Sequence, residues 1–242
     1  FPYTTLFRSN LKFKQLCCAD KMKLCKKYGV SKIQLNSGEE VINSETLGIP
    51  DRVKKIRGDG NCFFRAVSYA VSGTEDNHMK FRLAVVNHLL QNAVHFQRFL
   101  REGYSTVEQY VANARMCDNS TWATELEIMA AAHMLDINIY TFDDVNKWYL
   151  FGNRYTNEES TVDSVLKSGI YLYHKNQIHY DLVTSVCNLQ DTPKVLDSNV
   201  DGDREPTKHC KKRKRVNVKM KKKMERERQR ERYRKKQELK DR

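Results

Sequence analysis

A chain of 242 residues, 40% hydrophobic and 30% charged, is long enough to close one or two folded cores. Nothing in it approaches about 18 consecutive apolar residues, which argues against a membrane-spanning helix, and no secretory signal is visible at its start. The net charge of +13 is uneven: residues 201–242 hold 20 Lys+Arg against 8 Asp+Glu, so the first 200 residues are close to neutral. Seven cysteines follow no regular disulfide framework, which reads as a protein of a reducing compartment, cytoplasmic or nuclear.

In chain order, Phe1-Pro2-Tyr3-Thr4-Thr5-Leu6-Phe7-Arg8-Ser9 resembles the conceptual translation of a sequencing adapter, and no methionine opens it. Residues 1–9 are set aside from the fold, with the expectation that the chain begins inside a truncated reading frame. Residues 10–47 form an N-terminal extension of mixed, polar character with a short helix over 16–27. Cys17, Cys18 and Cys25 lie close together but lack the paired CxxC spacing of a zinc site, and read as surface or core thiols.

The most informative run is Gly58-Asp59-Gly60-Asn61-Cys62-Phe63-Phe64-Arg65-Ala66. Two glycines and a capping-type polar residue lead into a cysteine, and the residues after it are apolar enough for a buried helix over 62–71. The first N–H groups of a helix are unsatisfied and its N-terminus carries partial positive charge. Both favour a thiolate, which makes Cys62 a candidate nucleophile. The alternative is a packing cysteine in a buried helix.

Three further helices follow. One covers 79–92, with Phe81, Val85, Leu89 and Leu90 as its apolar stripe. The second covers 106–114 and is capped by Ser105 or Thr106. The third covers 122–134, capped by Ser120 or Thr121, with Trp122 as a core anchor. Strands over 137–142 and 147–151 are turned by Asp143-Asp144-Val145-Asn146. A last hairpin pairs 169–174 with 178–183 through Lys175-Asn176-Gln177. Helices precede most strands, which favours α+β over a βαβ alternation.

On the final strand, His179 and Asp181 share a face, roughly 6.5–7 Å apart along the backbone. An imidazole can lean across that gap and donate one ring N–H to the carboxylate, leaving the other nitrogen to take a proton from a thiol. His174 is the rival base, but it has no acid two residues on. His78, His88, His95 and His133 fall in helices or at their ends and read as surface or satisfied core residues.

The run from Gly58 to Ala66 closely resembles the nucleophile motif of the OTU (ovarian tumour) family of cysteine proteases. His179-Tyr180-Asp181 is similar to that family's histidine motif. The stretch Trp122-Ala123-Thr124-Glu125-Leu126-Glu127-Ile128-Met129-Ala130-Ala131-Ala132 is similar to the tryptophan- and alanine-rich helix between them. The resemblance covers residues 48–184, with three motifs in order. It implies a papain-like α+β domain, a central small β-sheet flanked by helices, that cleaves ubiquitin or polyubiquitin chains. It implies Cys62 as nucleophile, His179 as general base and Asp181 as the acid that orients it. Asp59 would be the catalytic-loop aspartate supporting the oxyanion hole, with Gly58, Gly60 and Asn61 against the substrate. No metal and no organic cofactor is expected.

Beyond a linker over 185–205, residues 206–242 form a basic tail, helical or disordered. Lys211-Lys212-Arg213-Lys214-Arg215 is a compact cluster suited to nuclear import or to phosphate contact. Glu231/Lys235 and Glu238/Arg242 fall at i,i+4 spacing, and the helix has almost no apolar face. The tail reads as a solvated segment or as a sequence-independent nucleic-acid contact. Two other functional classes therefore stand beside the protease: a catalytically weak ubiquitin-binding module, and a nucleic-acid-associated protein of a transposable-element-like reading frame.

Overall fold

The computed structural model describes residues 12–31, 46–152 and 168–187, together with the backbone of the strand Thr4–Thr5. The chain divides into a unit Phe1–Pro193 and a unit Lys194–Arg242. All described residues lie in the first. The linker beyond Cys187 and the basic tail expected from the sequence lie outside the described residues.

Among the described residues the order is β1 (Thr4–Thr5), α1 (Cys18–Tyr28), β2 (Ile49–Lys54), α2 (Cys62–Ser72), α3 (His78–Gln91), α4 (Ala93–Phe96), α5 (Val107–Asn113), α6 (Glu125–Leu135), β3 (Asn138–Phe142), β4 (Trp148–Phe151), β5 (Gly169–Lys175) and β6 (His179–Cys187). The sheet runs β1-β4-β3-β5-β6-β2. Its pairs are antiparallel except β3 with β5, which are parallel. A mixed sheet with helices gathered before it is the α+β class that the sequence implies.

The sheet carries two cores because alternate side chains point to opposite faces. One face buries Ile139, Ile170, Leu172, Tyr180 and Leu182 against α2, α3 and α6. The other buries Tyr140, Phe142, Trp148, Tyr171 and Val183 beneath Phe13 and Leu47. There the Tyr140 and Tyr171 rings stack at 4.6 Å between centroids, and Trp148 Nε1 donates to the Gly48 carbonyl at 2.8 Å. The N-terminal extension is therefore more than an appendage: Phe13 closes one core, and Leu16, Leu24, Cys25 and Val30 belong to the other. The Thr4–Thr5 strand, set aside from the sequence reading, pairs with β4 at the sheet edge.

α2 forms where the sequence places it. Phe63, Phe64, Ala66, Val67 and Val71 are at most 1% exposed, and each large apolar side chain so buried contributes about 1.5–3 kcal/mol. Gly73 ends the helix in the left-handed region at φ 81°, a conformation that glycine reaches without strain. α5 is capped by the Thr106 hydroxyl, which accepts from the Gln109 N–H at 3.1 Å.

Two expectations fail around α6. The helix begins at Glu125, because Thr124 caps it and Glu127 returns the bond to the Thr124 N–H at 2.7 Å. That Thr-x-x-Glu capping box outcompetes Ser120 and Thr121. Trp122 is thereby left outside the helix and is 59% exposed, not a core anchor.

Candidate active site

The nucleophile loop is built from inside. Gly60 sits at φ +83°, and a Cβ placed there would lie 2.2 Å from the Ser120 carbonyl oxygen. The 116–121 segment thus packs directly on the loop backbone, and only glycine fits. Asn61, expected to cap α2 and to touch substrate, makes no side-chain cap and is fully buried. Its Oδ1 accepts from the Ser120 N–H at 2.9 Å and from Arg82 Nη2 at 2.8 Å. Arg82, also fully buried, reaches from α3 to donate to the carbonyls of Thr121 at 2.6 Å and Met116 at 3.1 Å, with its guanidinium 4.2 Å over the Phe64 ring. A buried arginine is tolerable because carbonyls and a ring face replace its water.

Asp59 is committed to the same frame. Its carboxylate takes Arg65 Nε at 3.0 Å and Nη2 at 2.6 Å, and the Asn61 N–H at 3.1 Å. The Arg65 guanidinium holds the Asp59 carboxyl well below the usual carboxylate range, against the opposing effect of burial.

Cys62 opens α2 with its thiol half-buried. Burial pushes the thiol up, while the backbone N–H groups of Tyr180, Phe63 and Cys62 itself pull it down and the Asp59 charge adds to the rise. The net direction is upward, opposite to what the helix N-terminus alone suggests, because desolvation outweighs the N–H groups. The Phe63 and Tyr180 rings meet edge to face at 6.0 Å, which sets the first turn of α2 against β6 one residue from His179.

At the start of β6, His179 Nε2 lies 3.1 Å from Asp181 Oδ1. The other side of the ring faces the nucleophile loop: a Cβ on Gly58 would sit 3.5 Å from Nδ1. Asp181 is 1% exposed and accepts two more donors, the Ile56 N–H at 2.9 Å on Oδ1 and Lys55 Nζ at 2.8 Å on Oδ2. Burial pushes its carboxyl up, but Lys55, the Ile56 N–H and His179 together hold it below the ordinary value.

His174 stands opposite Tyr180 in the β5–β6 ladder and stacks on its ring at 4.3 Å. It faces away from His179 and Asp181, and burial pushes its imidazole down. Lys55 and Arg82 are the site residues that sequence reading missed. Lys55 lies in a lysine pair before the loop, a pattern common on surfaces. Arg82 sits on a helix whose apolar stripe gave no hint of an inward cation.

A half-buried thiol, an imidazole and a buried carboxylate on an α+β frame are the groups that thiol-dependent acyl transfer uses. Residues 57–180 match the family model described as OTU-like cysteine protease. The chain belongs to the OTU family. It is 29% identical over 159 residues to the OVARIAN TUMOR DOMAIN-containing deubiquitinating enzyme 7 of Arabidopsis thaliana, covering 64% of this chain and 39% of that protein. It is 28% identical over 137 residues to OTU domain-containing protein 5 of Rattus norvegicus, covering 55% of this chain and 21% of that protein. The chain thus spans well under half of these relatives. Among solved structures, the OTU domain of OTUD1 aligns with a TM-score of 0.44 at 25% identity, over 54% of this chain and 83% of that one.

Proposed function

We propose that the chain is a deubiquitinase that hydrolyses bonds at the C-terminal glycine of ubiquitin through Cys62, His179 and Asp181. The observation that carries this reading is the bond from His179 Nε2 to Asp181 Oδ1, on a strand packed through Tyr180 against the first turn of the helix that Cys62 opens. A proton on Nε2 satisfies the carboxylate and leaves Nδ1, on the side of the nucleophile loop, as the base. A thiol raised by burial needs such a base.

His179 takes the Cys62 proton, and the thiolate attacks the glycine carbonyl. The Cys62 N–H, an N-terminal donor of α2, receives the developing oxyanion. Asp59, Asn61, Arg65 and Arg82 hold the loop that presents it. The imidazolium then protonates the departing lysine amine, and water, deprotonated by the same ring, releases the acyl group from sulfur. The test is turnover of a fluorogenic ubiquitin substrate: Cys62→Ala is expected to abolish it while leaving the thermal unfolding transition in place. Undiminished cleavage by that variant overturns the assignment. A panel of differently linked diubiquitins then reads linkage preference.

The basic composition of residues 206–242 supports a second, additive role, sequence-independent contact with nucleic acid. Binding of the full chain that weakens steeply with salt, and is lost when 206–242 are removed, is the expected result. Salt-insensitive binding, or none, refutes it.

A further inference from the structure

Asp181 accepts three donors although its side chain is only 2% exposed. Two of them, the Ile56 N–H and His179, converge on Oδ1, while Oδ2 belongs to Lys55. Lys55 reaches in from solvent, its own side chain 71% exposed. It stands where β2 ends, and the chain runs from it through Ile56 and Gly58 to Cys62. One short segment therefore supplies an ammonium to Oδ2, an N–H to Oδ1, a wall for the His179 ring and then the nucleophile.

We propose that Lys55 is a positioning residue of the acid–base pair: by occupying Oδ2 it reserves Oδ1 for His179, and its screened positive charge sets the pH range in which the pair works. The inference rests on reading His179 as the base. The charged and titratable groups around the pair come from three elements. The loop after β2 brings Arg57, whose N–H bonds Glu75 Oε2, and Asp59, which is paired with Arg65. α2 brings Cys62. β5 brings Tyr173, whose hydroxyl donates to Asp144, and Lys175, opposite His179 in the ladder. Lys55 is the cation in direct contact with the carboxylate.

The sign follows from charge alone. Removing a cation raises the proton affinity of every neighbouring group, imidazole and thiol alike, so the acid limb of the rate profile moves to higher pH whichever group governs it. Because Lys55 is exposed, salt screens its effect.

The experiment compares the full-length wild-type chain with Lys55→Met, Lys55→Arg and Lys175→Met. It records kcat/KM against pH on a fluorogenic ubiquitin substrate at low and high salt. In parallel, NMR follows the His179 ring through a pH titration in the Cys62→Ala background, with and without the Lys55→Met substitution. Lys55→Met is expected to move both the acid limb and the ring titration upward by about half a pH unit at low salt. Lys55→Arg restores the wild-type position, Lys175→Met moves it less, and high salt carries the wild type toward Lys55→Met. A Lys55→Met variant that loses kcat with both curves unmoved overturns the proposal, as does an equal movement in Lys175→Met. Should the chain hydrolyse no ubiquitin substrate, the protease reading fails alone, and the ring titration still decides the role of Lys55.

Discussion

The two halves of the site are anchored by opposite means. The nucleophile loop is held from within, by Gly60 against the Ser120 backbone and by Arg65 and Arg82, whose side chains are buried. His179, the proposed base, is held at a strand end, by a carboxylate that takes one backbone N–H and one ammonium from solvent. A buried frame positions the sulfur whatever the salt or mild acidity of the medium. A frame open to solvent on one side can be tuned by charge. Damage to the first half is therefore expected to reach stability and activity together, and damage to the second to reach activity and its pH profile.

The largest effect is expected from Gly60→Ala. Its Cβ meets a backbone oxygen, and the left-handed φ adds strain, so the variant loses roughly 3 kcal/mol or more of stability together with turnover. Chemical denaturation and the ubiquitin assay read the two losses, and a variant that keeps both would break the account of the loop. Arg82→Met removes the donors that join Asn61, Met116 and Thr121. A loss of about 2–4 kcal/mol is expected by denaturation, again with falling activity. Asp181→Asn tests the other half: kcat falls roughly 100-fold or more, since the neutral amide no longer stabilises the imidazolium, while the stability loss is smaller than in Gly60→Ala or Arg82→Met. A large stability loss there with modest loss of rate would invert the comparison.

Acid sharpens it further. His88 is pushed down to about 4 from its ordinary 6.5 by burial and by the charges of His133, Lys27 and His95; its Nε2 lies 2.7 Å from His133 Nδ1. The folded state binds this proton less well than the unfolded state, so stability falls as pH drops from 6.5 toward 4. Asp59 and Asp181 have the opposite displacement: their contribution is present above the ordinary carboxylate value and is lost as pH falls through the lowered folded values. Denaturation at several pH values should show the histidine-linked loss first, with a shallower slope in His88→Asn. The smallest effect belongs to Trp122→Ala, within about 0.5 kcal/mol, since its ring is exposed.

Local chemistry was legible in the sequence; what arrives from a distance was not. The α2 stripe and the period-2 pairing of His179 with Asp181 each depend on neighbours in the chain, and both form as read; the Gly58–Cys62 run opens α2 at Cys62 as expected, but without Asn61 as its cap. Asn61 could not be placed, because its amide answers to Arg82, which comes from another helix. β2 was missed: Pro50 and Asp51 break its alternation, and the strand survives as a bulged edge of β6. The start of α6 was legible in the Thr124 and Glu127 pair. The weaker caps upstream, beside a conspicuous tryptophan, obscured it.

The most direct measurement is reaction of the wild-type chain with ubiquitin bearing a C-terminal electrophile, followed by mass spectrometry of the adduct. One adduct is expected, on Cys62, strongly slowed in His179→Ala. An unmodified chain, or an adduct on the exposed Cys17, Cys18 or Cys117 in place of Cys62, would contradict it.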